Sequence, residues 1–278
     1  MILKNLLDSG ACVVCDFDNT LYDTSSFHVK SYQGALLAVC GVEVDIRPYK
    51  LQLRGKSNRD VVLALLAIAR GKYPLRSEPA PELRPLFEAF DALPGTEKEK
   101  VARIVEKRVE FLVESVGESV PVENLPQEMK VLGELVAFLR KIGTKCGIAS
   151  ASPGDFVRTV IRRKETSDIF PLDFVIGSEI IEKQEEERPG ERLAKPHPFS
   201  VLLSAGKARE AMSSPCHLVA YIGDSDEDCG VIPNASEEDM PIVGFIIPSS
   251  KETRMELPRK YRGHHGLTFL HTLADLVR

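Results

Sequence analysis

Two aspartates separated by a single residue follow a short apolar run near the start of the chain. The stretch ACVVCDFDNTLYD, residues 11–23, places Asp16 and Asp18 directly after five apolar residues. Like charges this close repel each other strongly unless a cation lies among them. A hard cation with oxygen ligands would fit among such carboxylates if further ones meet them at the same point.

Other reactive residue types follow later apolar runs. Ser150 ends the run KCGIAS, Lys195 lies in the stiff segment AKPHPF, and Asp224 and Asp228 lie in GDSDED. Each of these features is weak alone, because caps and turns often carry Asp or Ser. Their joint order favours a site where Mg²⁺ and a phosphoryl group meet, with a lysine that balances the charge.

The elements that must position these residues are short strands alternating with helices. Runs rich in β-branched residues predict strands at 11–15, 145–150, 173–177, 217–223 and 242–247, with a weaker one at 266–270. Helical spacing predicts a helix that ends at Gly143 and another that begins with Ser152 as its N-cap. This alternation is typical of βαβ units, so we expect an α/β fold with a Rossmann-like parallel sheet.

A long helical insertion is predicted between the first and second strands. Helical patterns cover residues 26–40, 58–70, 82–92 and 96–116, with Ser57 and Asp60 as a capping box at the second. The run VVLALLAIA, residues 61–69, is apolar all round and predicts a buried helix. We expect two domains, a core of residues 1–22 and 123–278 and a helical domain of residues 23–122.

The ordered motifs resemble those of the haloacid dehalogenase superfamily. DFDNTL (16–21) resembles its first motif, Ser150 the second, Lys195 in KPHP the third and GDSDED (223–228) the fourth. The resemblance extends to the helical insertion, which is similar to the cap domain that follows the first motif in many members. It implies a HAD-like parallel sheet with an inserted α-helical cap.

The resemblance also implies a role for each motif residue. Asp16 would be the nucleophile that forms an aspartyl-phosphate, and Asp18 the general acid and base. Mg²⁺ would be held by Asp16, Asp224 and the backbone carbonyl of Asp18. The implied phosphate-binding residues are Ser150, Lys195 and the N–H groups near Phe17 and Ala151, and the implied supporting residues are Thr20 and Asp228.

An aspartate at position 18 sets the expected subclass. Within the superfamily, phosphatases and phosphomutases keep this residue, whereas dehalogenases and phosphonate hydrolases do not. The resemblance thus implies a phosphatase acting on a small phosphorylated metabolite, with a sugar-phosphate phosphomutase as the alternative. A non-catalytic phosphate-binding or phospho-receiver-like protein is the rival class, although every reactive residue is present.

The insertion carries a cationic stretch that bears on the substrate. Arg54, Lys56 and Arg59 flank the predicted start of the helix at 58–70. Similar caps place this loop over the active site, so we expect these cations to bind a polar or anionic leaving group. An ordinary solvated turn is the alternative.

Length, charge and composition limit the classes of protein to which the chain can belong. The chain has 278 residues and a net charge of −5, which argues against a nucleic-acid surface as its main function. Its longest apolar run, 61–69, is too short to cross a bilayer, so we expect a cytoplasmic protein without a membrane partner; the oligomeric state stays open. Cys12 and Cys15 are expected to be small core residues, 181–194 a solvated loop, and the polar stretch after Asp228 a short extra loop.

Overall fold

The computed structural model describes residues 2–22, 24–49, 53, 58–70, 94–117, 127–188, 190–211, 216–235, 240–248 and 251–277. Its contacts divide the chain into two compact units. One unit is an α/β unit of Met1–Asp23 and Val120–Arg278, and the other is a helical unit of Thr24–Ser119. No helix among the described residues is long and apolar enough to cross a membrane.

A parallel sheet of six strands, counted over the described residues, forms the centre of the α/β unit. The strands are β1 (Ala11–Cys15), β2 (Cys146–Ala149), β3 (Val175–Ile176), β4 (Leu218–Gly223), β5 (Ile242–Ile246) and β6 (Leu267–Phe269). All adjacent pairs are parallel, in the order β3-β2-β1-β4-β5-β6. The sequence-based prediction of a Rossmann-like parallel sheet is confirmed, and the weak strand at 266–270 is present.

The strand order reverses between β1 and β4. From β1 the chain adds β2 and β3 on one side, then returns to place β4 on the other side of β1. In open α/β sheets, ligands bind outside the carboxyl ends of the strands at such a reversal. Asp16 follows β1 and Asp224 follows β4, so the two aspartates lie at this point of the sheet.

The helices of the α/β unit are α1 (Ile2–Asp8), α5 (Gln127–Ile142), α6 (Gly154–Arg163), α7 (Ser178–Glu187), α8 (Phe199–Ala211), α9 (Asp226–Val231) and α10 (Lys251–Lys260). Helix α5 ends before Gly143, which has a φ of +68°, as predicted. Helix α8 packs on β1 to β4. A Cβ added to Gly147 of β2 would lie 2.1 Å from the Ser204 hydroxyl oxygen, so the close approach of α8 requires glycine there.

Two predictions about helix starts and loops are wrong. Ser152 is not the N-cap of α6, because Pro153 occupies that position. The Gly154 N–H, in the first turn of the helix, donates to the Glu179 carboxylate at 2.8 Å instead. Residues 181–187 form part of α7 rather than a loop, because Glu, Lys and Gln favour helix and Ile181 is buried. Local sequence did not reveal that a residue 25 positions away supplies the cap.

The stretch after Asp228 also differs from the prediction. It continues helix α9 as far as Val231, and a turn at 232–235 follows. The first residues of this stretch are therefore helical rather than a loop, and residues 236–239 lie outside the described part of the chain.

Cys12 and Cys15 are both buried core residues, as predicted, but only one of them is a free thiol. Cys15 is a buried free thiol in β1, as expected for a core residue. Cys12 instead forms a disulfide with Cys216, whose Cα lies 5.8 Å away, just before β4. The two cysteines of the C-x-x-C do not pair with each other.

The helical unit is built from α2 (Ser25–Cys40), α3 (Asn58–Ala69) and α4 (Gly95–Gly117). These helices match three of the four predicted segments; the fourth, 82–92, and Ser57 lie outside the described residues. Every side chain from Val61 to Ile68 is buried, so α3 is the buried helix that its all-round apolar sequence predicts.

A buried polar cluster crosses the helices of this unit. Arg108 of α4 is only 2% exposed and donates to the Asn58 side-chain oxygen at 2.5 Å. Its guanidinium also lies 2.7 Å from His28 Nδ1 and stacks over the Tyr32 ring. These contacts join the first turns of α2 and α3 to the middle of α4, so hydrogen bonding offsets the burial of a charge.

Candidate active site

Asp16 is held at the carboxyl end of β1 by contacts to both of its oxygens. Its side chain is buried, and the backbone N–H continues the sheet by donating to Ile222 O. Lys195 Nζ donates to Oδ1 at 2.5 Å, and the Thr20 hydroxyl donates to Oδ2 at 3.1 Å. The carboxylate is thereby fixed in one orientation, which is what a nucleophile needs before attack.

A tight turn brings Asp18 back toward the sheet. Leu21 N and Tyr22 N both donate to Phe17 O, and Asn19, with φ +60°, donates to Tyr22 O. Asparagine is one of the few side chains that tolerates this left-handed conformation. The turn places Asp18 beside Ser150, whose hydroxyl donates to Asp18 Oδ2 at 2.9 Å.

Ser150 links the end of β2 to this turn. Its hydroxyl also accepts the Ser152 N–H at 2.9 Å, so Ser152 supports the loop rather than capping α6. The same loop places Ala151 directly after β2, and Phe17 packs edge-on against Phe156 of α6. The backbone of both predicted phosphate-binding turns is thus supported by packing and hydrogen bonds.

Lys195 reaches the site from a loop and not from the sheet. Glu185 of α7 accepts the N–H groups of Leu193 and Ala194, which brings the chain back beside the helix just before the lysine. The ammonium group donates to Asp16 Oδ1 at 2.5 Å, Asp228 Oδ1 at 2.8 Å and the Tyr221 hydroxyl at 2.9 Å. The lysine therefore balances the charge of two carboxylates, Asp16 and Asp228.

Asp228 accepts hydrogen bonds from five donors, which occupy both of its oxygens. Its Oδ2 accepts from the N–H groups of Asp224 and Ser225 and from the Ser225 hydroxyl, which completes a capping box at the start of α9. Its Oδ1 accepts from Lys195 and Tyr221. A Cβ at Gly223 would lie 2.5 Å from Asp228 Cβ, which explains the glycine before Asp224.

Tyr221 is the site residue that the sequence analysis missed. It belongs to β4 and is fully buried, and its hydroxyl donates to Asp228 Oδ1 at 2.5 Å. In the sequence it stands inside the apolar run HLVAYIG, which reads as a simple core strand. The available signal was chemical, because a buried tyrosine hydroxyl normally requires a hydrogen-bond partner.

The two carboxylates that share Lys195 have opposite pKa shifts. Burial raises the pKa of Asp16 to about 7, and the charges of Asp228 and Asp18 add to this effect, against the lowering by Lys195. Burial acts the same way on Asp228, but Lys195 and the hydroxyls of Ser225 and Tyr221 hold its pKa below the ordinary value. The five donors on Asp228, against two on Asp16, account for the difference.

The raised pKa of Asp16 predicts that burying this carboxylate lowers the stability of the fold. Because the unfolded chain ionises this group near 3.8 and the fold only near 7, metal-free stability falls as pH rises through that range. We expect Asp16→Asn to raise the free energy of unfolding at pH 8 by about 1–3 kcal/mol. Denaturant unfolding in the presence of a chelator measures the change.

The pH series provides the internal control for this stability test. Below the ordinary aspartate pKa, both wild type and variant carry a neutral group at position 16, so the two proteins should differ little. A variant that is less stable than wild type at pH 8 would contradict the assignment of an unfavourable buried charge.

The acidic cluster fits a divalent metal ion. One carboxylate oxygen each from Asp16, Asp224 and Asp228 lies within 4.8 Å of the others, and all three residues are buried. Hard oxygen donors of this kind suit Mg²⁺. Five donors already bind the oxygens of Asp228, against one donor on each oxygen of Asp16, so Asp16 is the better ligand of the two, together with Asp224, as the resemblance implies.

The three cations predicted to contact the substrate belong to the helical unit, Thr24–Ser119. Arg59 lies on α3 in the helical unit and is partly exposed, whereas Arg54 and Lys56 lie outside the described residues. The structure does bring together the residues of all four motifs at the strand-order reversal, through the contacts described above. Their roles in chemistry stay predictions.

Fold and site together define an α/β protein whose reactive carboxylates lie at the carboxyl edge of a Rossmann-like sheet. A family model described as "haloacid dehalogenase-like hydrolase" matches residues 11–235. The chain belongs to this family of hydrolases. No curated protein sequence matches the chain significantly.

Solved structures share the fold at low sequence identity. A HAD hydrolase, family IA, variant 3, from Entamoeba histolytica is 17% identical, with a TM-score of 0.58 over 95% of this chain and 94% of its own. CbbY from Rhodobacter sphaeroides, in complex with phosphate, is 18% identical, with a TM-score of 0.58 over 95% of both chains. β-Phosphoglucomutase from Clostridium difficile is 18% identical, with a TM-score of 0.52 over 90% of this chain and 97% of its own.

Proposed function

We propose that this protein is a Mg²⁺-dependent phosphatase that hydrolyses a small phosphorylated metabolite through an aspartyl-phosphate. The observation that carries the proposal is the oriented Asp16 carboxylate, held by Lys195 and Thr20 next to two further buried aspartates. Such a carboxylate is a nucleophile beside a site for a metal and an anion, which is the requirement of phosphoryl transfer.

In the first step, an Asp16 oxygen forms a bond to phosphorus while the bond from phosphorus to the ester oxygen breaks. Asp18, on the adjoining turn, donates a proton to the departing oxygen so that an alcohol leaves. The Lys195 N–H that faces Asp16, and the Ser150 hydroxyl on turning away from Asp18, would donate hydrogen bonds to phosphoryl oxygens, which stabilises the charge that develops there. The product of this step is a phosphoryl group on Asp16.

In the second step, Asp18 removes a proton from water, and the water oxygen bonds to phosphorus as the bond to Asp16 breaks. The same side chain serves both steps because the first leaves it deprotonated. Asp16, Asp224 and the backbone carbonyl of Asp18 would hold Mg²⁺. When bound, the metal supplies positive charge that offsets the repulsion between carboxylate and phosphate.

The helical unit is proposed to act as a cap, and its residues would then select the class of substrate. Arg54, Lys56 and Arg59 would contact the part of the substrate that is not transferred, which favours a polar or anionic leaving group. A phosphomutase would share the same first step. The solved structures that share the fold include a β-phosphoglucomutase, and at 18% identity its name does not decide between the two activities.

A metabolite screen in the presence of Mg²⁺ tests the proposed function. We expect release of inorganic phosphate from small monoesters, and loss of about 99% of the activity after chelation, restored by added Mg²⁺. Activity that persists in a chelator would contradict the metal assignment. Including a bisphosphorylated sugar separates the alternatives, since a mutase would return an isomeric phosphate ester instead of inorganic phosphate.

A further inference from the structure

The Tyr221 hydroxyl occupies a place in the site that no motif requires. It lies between Lys195 Nζ, at 2.9 Å, and Asp228 Oδ1, at 2.5 Å. The ring belongs to β4, two residues before Gly223, and is buried in the sheet. A strand, and not a loop, therefore fixes the position of this oxygen.

The Tyr221 hydroxyl oxygen is the acceptor for the third N–H of the Lys195 ammonium group. An ammonium group has three N–H donors and no lone pair. The three acceptors around Lys195 are Asp16 Oδ1, Asp228 Oδ1 and the Tyr221 oxygen. Since two of these acceptors are held by β4 and α9, they fix the direction of the remaining N–H toward Asp16.

The direction of each hydrogen bond follows from the chemistry of the groups. The phenol has a single proton, and Lys195 cannot accept it, so that proton goes to Asp228. The oxygen lone pairs are then available to the lysine. A phenylalanine would present only its ring, whose centroid lies 5.6 Å from Nζ, and would leave a buried N–H without this acceptor.

We propose that Tyr221 is a positioning residue, which fixes the Lys195 ammonium so that one N–H faces Asp16 and the transferring phosphoryl group. The inference rests on the proposed function for its catalytic consequence, but the geometry of the ammonium can be tested separately. Tyr221 itself does not touch the reacting atoms.

Tyr221→Phe removes only the oxygen, and Tyr261→Phe is the matched control. Tyr261 belongs to the same unit, and its hydroxyl donates to the backbone of Asp226 on α9 without reaching the site side chains. We expect Tyr221→Phe to lower kcat/KM by about tenfold and to raise the Kd of inorganic phosphate, measured with Mg²⁺ by calorimetry, by a similar factor. The control should leave both constants near wild type.

The ¹⁵N NMR signal of the lysine ammonium groups gives the readout that a purely structural role would not move. An ammonium held by three buried acceptors exchanges its protons slowly, so wild type should show a protected signal that Lys195→Met removes. Tyr221→Phe should broaden or shift this signal, while Tyr261→Phe retains it.

The outcomes separate this inference from the proposed function. Unchanged kcat/KM, phosphate Kd and ammonium signal in Tyr221→Phe would overturn the inference. A fall in kcat/KM without any change in the ammonium signal would also overturn it, since the hydroxyl would then act through the fold. If wild type hydrolyses no phosphate ester, the proposed function fails, and the phosphate Kd with the ammonium signal still decides the role of Tyr221.

Discussion

Asp16→Asn is expected to abolish turnover, with a fall in kcat of at least about 10⁴-fold. An amide of almost the same size keeps the contact with Thr20 but cannot attack phosphorus. Steady-state phosphate release measures the loss. Acid quenching with a radiolabelled substrate should detect a phosphorylated wild-type protein and no label on the variant, because the acceptor oxygen is gone.

Asp226→Asn is the matched control for this experiment. Asp226 lies at the same edge of the sheet, on the first turn of α9, but its carboxylate is partly exposed and pairs with Lys260. Its neutralisation should leave kcat near wild type. A nucleophile other than Asp16 would be indicated if Asp16→Asn retained a substantial part of the activity or still became labelled.

Asp18→Asn is expected to give the second largest effect, and one that depends on the leaving group. For an alkyl phosphate, kcat/KM should fall by about 10³- to 10⁴-fold because the departing oxygen receives no proton. For an aryl phosphate with an acidic phenol, the leaving group departs without a proton, so the rate of the first step should fall much less. The phosphoenzyme should then accumulate, because no base activates water.

Acid-quench labelling with the two classes of ester distinguishes these steps. Asp168→Asn serves as the control, since Asp168 belongs to the same unit and pairs with Arg140 at the surface. Equal losses for alkyl and aryl esters, without accumulation of the phosphoenzyme, would show that Asp18 does not act as the acid and base.

The sheet and the motif residues were predictable because each reactive residue ends a strand. The β-branched run before Asp16 and the one before Asp224 both became strands, and the carboxyl ends of parallel strands meet at one edge. The alternation of strands and helices then leaves few topologies open. Local pattern was therefore sufficient for both the fold class and the convergence of the motifs.

Features that depend on residues distant in sequence were not predictable. Ser152 looked like an N-cap because serine normally plays that role, but Glu179 supplies the acceptor from another helix. The charged stretch at 181–187 looked like a loop because its buried side is a single isoleucine. Tyr221 looked like a core residue, since only the folded sheet places its hydroxyl beside Lys195.

The two oxygens of Asp228 have different roles, one in folding and one in the site. This difference affects which residues the protein can lose during evolution. One oxygen caps the start of helix α9, and the other accepts hydrogen bonds from Lys195 and Tyr221. A substitution there is expected to damage folding as well as chemistry, whereas neutralising Asp16 is expected to raise stability. Descendants that lose the reaction but survive as folded proteins should therefore have lost Asp16 first and kept Asp228, so an intact GDSDED segment alone is poor proof of an active enzyme.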